Sequence, residues 1–377
     1  MVLGVPDPFW GVVAGVLGAV VGSFLNMLIW RLPRGESLIS PGSHCPRCHY
    51  ALRAYDNIPL LSFLILRGRC RGCGLPIPWR YFWVEALTCG VFVALFWRFG
   101  PTYHTVAYCL FAAALIAALF IDAELFIIPD ELNTFALLVG IGHDVWGILT
   151  QDPQQALLWG WLPRSLCGAV ICSTLFVLIQ VVGLLLFRRD AMGDGDVKLA
   201  RAIGALLPLG QALVSFLLAI GAGALIGGAL MVWRASREKS QAGSRELGFE
   251  NRKQEPSDPS ERLSSTASSS PASGSVGESA PEELEATPLP TALVTGAFYI
   301  AFLDLLIALG ALLRIGPAVR LKQQLAPEVD EEEEDDFVAG PTHLPFGPYM
   351  VIGALLAIFI GDPLIQWYLA WAGLAPK

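Results

Sequence analysis

Two pairs of cysteines, Cys45-Pro-Arg-Cys48 and Cys70-Arg-Gly-Cys73, are separated by 21 residues. A CxxC turn presents two soft thiolates side by side, and two such turns supply the tetrahedral sulfur set that Zn²⁺ prefers. Arg47 and Arg71, inside the turns, favour the thiolate form. Four thiolates leave no open coordination position, so the zinc expected here is structural rather than catalytic. The competing readings are a redox dithiol and a pair of disulfides. His44 and His49 flank the first turn but are surplus once four cysteines are present. The other cysteines, Cys89, Cys109, Cys167 and Cys172, fall inside apolar runs and read as small buried hydrophobes.

A second chemistry belongs to carboxylates at the ends of apolar runs. Asp122 closes such a run in "ALFIDAELFIIPDELN", and Asp196 ends the turn "MGDGDVKL" at the mouth of the next. Acids at hydrocarbon boundaries are costly to keep and default to function. Two of them brought together from different helices cannot both ionise, so one keeps a proton and the other acts as base. The base would activate a water against a peptide carbonyl while the acid polarises that carbonyl. Gly193 and Gly195, lacking Cβ, would let an extended backbone approach. Blander roles are open: Asp130 after Pro129 could cap a helix starting near Glu131, and Asp190 and Asp194 could be solvated beside Arg188 and Arg189. The same acids could also relay protons or cations in a transporter or channel. Transporters often carry paired half-repeats with broken helices, and no internal repeat is apparent.

The elements that must position these residues are apolar helices. Apolar residues make up 54% of the 377, and about 64% with glycine, against about 45–50% in globular chains; charged residues reach only 15%. Runs long enough, or nearly so, to cross a bilayer are 9–30, 82–98, 106–121, 134–150, 165–187, 211–233, 291–314 and 346–374. The expected fold is an all-α, polytopic transmembrane bundle of eight helices, or nine if the short run 197–209 counts. Met1 to Trp10 carries Asp7 and no Lys or Arg, which argues against a cleavable signal peptide.

Charge orients the bundle. The loop 31–81 holds Arg31, Arg34, Arg47, Arg53, Arg67, Arg69, Arg71 and Arg80 against only Glu36 and Asp56, which places it in the cytoplasm. Alternation brings the ends near Asp122 and Arg188–Lys198 to the same side. Residues 234–290 are rich in Ser, Pro and Glu, with "SSTASSSPASGSVGESAPEELEATP", and most of them are expected to be disordered. The net charge of −8 resides in the tract Glu328 to Asp336, whose removal leaves 25 acids against 25 bases. With no basic stripe, nucleic-acid binding has no support. The chain divides into a first helix (1–30), a cytoplasmic tetracysteine loop (31–81), a transmembrane core (82–233), a disordered insertion (234–290), an extra apolar helix (291–314), an acidic loop (315–343) and a last helix (344–377).

Together these segments resemble the type IV prepilin peptidases, GxGD aspartyl proteases of the bacterial inner membrane. The most specific piece runs from Gly22 to Glu85 and contains both cysteine pairs; "IDAELFIIPDELN", "GDGDVKL" and "LPFGPYM" follow in the family's order. The resemblance maps the catalytic pair onto Asp122 and Asp196, with Gly193, Gly195, Pro129, Asp130 and Lys198 as supporting motif residues. It implies metal-independent cleavage of type IV prepilins or pseudopilins after the glycine of a basic leader, at the cytoplasmic face. It also implies N-methylation of the new terminus from S-adenosylmethionine, an activity associated with the tetracysteine loop. Pilus or secretion assembly machinery would be a further partner, besides the lipid bilayer. No soluble-type methyltransferase glycine loop is visible, so no residue is assigned to that cofactor. The family usually joins its last two helices by a short loop; here about 110 residues intervene. If 291–314 spans, "LPFGPYM" would face the wrong side of the membrane.

Overall fold

The protein is described by a computed structural model covering residues 7–40, 42–152, 163–187, 192–252 and 345–374. Among these residues the regular elements are all helices, apart from two isolated bridges in the loop between the first two spans. The helices are α1 (Asp7–Arg31), α2 (Leu61–Ile65), α3 (Trp79–Phe99), α4 (Tyr103–Leu125), α5 (Asp130–Leu149), α6 (Arg164–Phe187), α7 (Asp194–Leu206), α8 (Leu209–Arg252) and α9 (Gly347–Trp371). Seven of them are long and apolar enough to cross a membrane: all but α2 and α7. The expected eighth span, 291–314, lies outside the described residues, as do Asp190 and the acidic tract.

The bundle is built around α4. Phe111, Ala112, Ile116, Ala117 and Ile121 have no exposed surface, and α1, α3, α5 and α9 all pack on this helix. Lipid chains are as apolar as leucine, so helices in a bilayer associate through close packing more than through hydrophobic burial. The sequence supplies small residues where that packing is tightest. A Cβ at Gly22 of α1 would come within 2.7 Å of Glu85 Cα in α3, and one at Gly18 within 2.8 Å of the Thr88 carbonyl. Gly168 of α6 and Gly204 of α7 meet main chain to main chain, and a side chain on either would enter the other's backbone.

The short run 197–209 is α7, thirteen residues and about 20 Å long at 1.5 Å per residue. It lies inside the bundle: every residue from Leu199 to Leu206 is buried. Its far end, with Arg98, Arg164 and Asp362, lines a cavity of about 820 Å³ at the end of the bundle away from Asp122. From there α8 returns beside α9 in the opposite direction, with Gln211 near Gly361 and Gly223 near Tyr349. Consequently α9 starts at the Asp122 end, and "PFGPYM" (345–350) is on the same face as that aspartate.

The loop between α1 and α3 is made of two like turns. In the first, Cys45 N–H donates to the Tyr50 carbonyl (3.0 Å) and His49 N–H to the Cys45 carbonyl (2.9 Å). In the second, Cys70 N–H donates to Leu75 and Gly74 N–H to Cys70, both at 2.9 Å. His49 (φ 56°) and Gly74 (φ 70°) occupy the equivalent left-handed positions.

Residues Ala224–Ala292 form a second compact unit, of which α8 is described through Arg252. The first part of the expected disordered insertion, 234–252, is therefore helical. An apolar helix already nucleated extends at little cost through Arg, Glu, Lys, Gln and Ala, all good helix formers. The remainder, 253–290, lies outside the described residues.

Candidate active site

Asp122 sits in the last turn of α4 and is 5% exposed. The helix stops four residues later because Phe126 turns left-handed (φ 58°), its N–H donating to the Asp122 carbonyl at 3.0 Å. Asp196 sits in the first turn of α7, which Gly193 opens from an extended conformation (ψ 148°). Burial, with the neighbouring Asp122 carboxyl adding to it, pushes the Asp196 carboxyl up to about 7. The two aspartates, 74 positions apart in the chain, are thus brought within electrostatic reach.

Ile128 and Gly347 close the site. A Cβ at Gly195 would lie 3.2 Å from Ile128 Cβ, and one at Gly347 would lie 3.0 Å from Ile128 Cδ1 and strike Asp122 Oδ2. That oxygen is buried and makes no hydrogen bond of good geometry among the described residues, although the Gly347 amide lies against it. Gly193 is more open: a Cβ there would meet only Asp196 Oδ2, at 4.0 Å. Sequence reading identified "LPFGPYM" as a motif but not its place against Asp122. The signal was a glycine between an aromatic and a proline at the start of a helix, which does not reveal its neighbour.

Asp130 is not a helix cap. Pro129 holds the cap position of α5, with no side-chain capping bond, and the Asp130 carboxylate instead accepts from Lys198 Nζ at 2.8 Å. That ion pair joins the start of α5 to α7, two residues beyond Asp196. Asp194 is exposed, as expected of a solvated acid, and accepts from Gln180 Nε2 of α6 at 3.1 Å.

On the same face, the sulfurs of Cys45, Cys48, Cys70 and Cys73 all lie within 4.8 Å of one another, with Cys48 and Cys70 at 3.9 Å. Zn–S bonds of about 2.3 Å at tetrahedral angles set sulfurs about 3.8 Å apart, so the donor set fits zinc. All four are free thiols, which removes the disulfide reading. The main-chain amides of Cys48 and Arg47, rather than guanidinium groups, bring the Cys45 thiol down to about 7. Cys48, despite a lowering main-chain bond at Tyr50, is pushed up to about 12 by burial and by the other three cysteines. Buried Asp56 ties the turns together, accepting from Tyr50 Oη (3.1 Å) and Arg71 Nε (2.6 Å). Burial opposes its ionisation, but those two bonds hold its carboxyl below the usual carboxylate range. Arg80 of α3 donates to Glu124 of α4 at 2.6 Å, anchoring the loop's exit two residues from Asp122.

A helical membrane bundle with two interacting aspartates at one end defines the class: a polytopic protein with the parts of an intramembrane aspartyl protease. Comparison with known proteins makes this specific. Residues 16–99 match the Bacterial Peptidase A24 N-terminal domain, and residues 109–228 match the Type IV leader peptidase family. A Prepilin leader peptidase/N-methyltransferase of Myxococcus xanthus is 34% identical over 94% of this chain and 91% of its own. A protein of the same name from Neisseria gonorrhoeae is 33% identical over 54% and 77% respectively. The Type 4 prepilin-like proteins leader peptide-processing enzyme of Escherichia coli is 35% identical over 51% and 75%. No solved structure matches the chain. The chain belongs to the type IV leader peptidase family, and the transporter reading is set aside. The Myxococcus match extends across 234–343, the stretch expected to set this chain apart.

Proposed function

We propose that the protein is a prepilin peptidase that removes the leader of type IV prepilins or pseudopilins and then methylates the new N-terminus. The observation that carries the peptidase is the convergence of Asp122 and Asp196, with the Asp196 carboxyl raised to about 7. At neutral pH such a pair shares a proton. The ionised carboxylate takes a proton from a water as it attacks the scissile carbonyl, and the protonated partner donates to the developing oxyanion. Proton return to the leaving amine completes the cleavage and resets the pair. Gly193 leaves room beside Asp196 for an extended substrate backbone.

The relatives' name also carries a methyltransferase. S-Adenosylmethionine would supply a methyl group to the freed amine, leaving as the neutral thioether while the nitrogen loses a proton. Cys45, Cys48, Cys70 and Cys73 would hold zinc, whose contribution is to cross-link the two turns of a loop too short and polar to pack a core. The arginine-rich loop supports a cytoplasmic placement of this face, in a bacterial inner membrane, where a basic leader and the assembly machinery would meet it.

The test is cleavage of a purified prepilin by protein in detergent or nanodiscs. Asp122→Asn and Asp196→Asn should each lower cleavage by at least a thousandfold, while each variant still unfolds in one cooperative transition. Wild-type rates in either variant would reject the dyad.

A further inference from the structure

Between the tetracysteine loop, α1 and α3 lies a cavity of about 710 Å³ that the peptidase chemistry does not use. Its volume is within the about 300–1,000 Å³ range of small-molecule sites. Glu124, in the same last turn of α4 as Asp122, lines it, so it lies at the same end of the bundle as the proposed cleavage site.

Two of its lining groups lack what their chemistry calls for. Asn26 of α1 is 2% exposed; its Nδ2 donates to the Tyr81 carbonyl at 3.0 Å, while its Oδ1 is buried without a hydrogen-bond partner. An unsatisfied buried amide oxygen costs about 1–3 kcal/mol, and a donor entering the cavity would recover it. Glu85 of α3 is 8% exposed. Its Oε2 accepts the Leu60 amide at 2.7 Å, and Ser23 is a second, neutral partner. The other acids of the cavity wall differ: Asp56 pairs with Arg71, Glu124 pairs with Arg80, and Glu36 is exposed; Arg31 and Arg47 also line the wall. Glu85 pairs with no cation among the described residues. Trp30 and Tyr81 give the cavity aromatic walls.

An organic cation that carries N–H donors and a flat ring meets all three conditions: a charge for Glu85, a donor for Asn26 and a ring for the aromatic wall. We propose that this cavity is the methyl-donor site, taking an adenosyl sulfonium, S-adenosylmethionine, with Glu85 and Asn26 as its binding residues. The assignment rests on the methyltransferase half of the proposed function. It explains why the loop and the protease core share one end of the bundle: the amine freed at Asp122 and Asp196 emerges next to the donor.

The experiment is isothermal titration of the full chain in nanodiscs with S-adenosylmethionine and, separately, with its uncharged product S-adenosylhomocysteine. Glu85→Gln should weaken the sulfonium compound at least tenfold and the product much less, and Asn26→Leu should weaken both. Zinc content and thermal midpoint report that each variant is folded. A photoactivatable adenosyl analogue on the unmodified protein supplies a readout that needs no variant, and should label peptides within 23–31 or 80–85. Wild-type affinity in both folded variants, or label confined to α5–α9, would overturn the site and leave methylation standing. No donor binding by the unmodified protein would overturn the methyltransferase reading, and this site with it.

Discussion

At the scale of single residues, the proposed site would work through the unequal protonation of two identical side chains. Partial burial, with the neighbouring Asp122 carboxyl adding to it, holds the Asp196 proton to about pH 7. Cleavage should therefore fall as pH rises through about 7 and the pair loses its last proton; initial rates between pH 5 and 9 would show this limb, and a flat profile would contradict a shared proton. Stability follows the same group. The folded protein keeps a proton that an unfolded aspartate, with an ordinary value of 3.8, has already released. Stability must then decrease as pH rises from about 4 to about 7. Asp196→Asn, inactive, should raise the thermal midpoint at pH 8 by more than at pH 5. Gly347 belongs to this scale too. Alanine there would collide with Asp122 Oδ2, so Gly347→Ala should reduce kcat at least tenfold while the chain still inserts and folds.

At the scale of elements, α7 is the part on which the site depends. It is too short to be held by a bilayer and is held instead by its neighbours, through the Gly168–Gly204 seam with α6 and the Lys198–Asp130 ion pair with α5. Gly204→Leu should remove folded protein altogether, because overpacking of about 1–3 kcal/mol per ordinary core site becomes backbone collision here. Size-exclusion profiles in detergent are the measure. Lys198→Met is a milder probe. The pair is only part-buried, 13% and 30% exposed at the two side chains, so its loss should displace Asp196 without unfolding the bundle. A drop in kcat with little change in KM, partly rescued by Lys198→Arg, would mark Lys198 as a positioning residue; equal loss in both variants would point to a different role.

At the scale of the whole molecule, one end of the bundle carries the tetracysteine loop, the aspartates and the start of α9. Removing the proposed zinc should loosen the loop and leave the helices intact. Cys48→Ser or a strong chelator should expose Arg67 and Arg69 to trypsin and abolish methylation, while leader cleavage persists. An unchanged digestion pattern would show that the four sulfurs need no metal to hold the loop.

Much of this was legible in the chain itself. Apolar length identified the seven described spans and CxxC spacing identified four residues whose sulfurs do converge, while boundary position singled out Asp122 and Asp196, the pair proposed to be catalytic. These are local signals, carried by runs and spacings within about twenty residues. The amino-acid sequence by itself determined which groups are available, their order and the membrane character of their carriers. Only the tertiary structure decided that Asp130 pairs with Lys198 rather than capping a helix, that Gly347 lies on Asp122, that α7 is buried, and that Asn26 and Glu85 share a cavity. The physical reason is that helical periodicity sets which face of a helix a residue occupies. Which faces meet is set by backbone-to-backbone packing at a few glycines, and that depends on every helix at once.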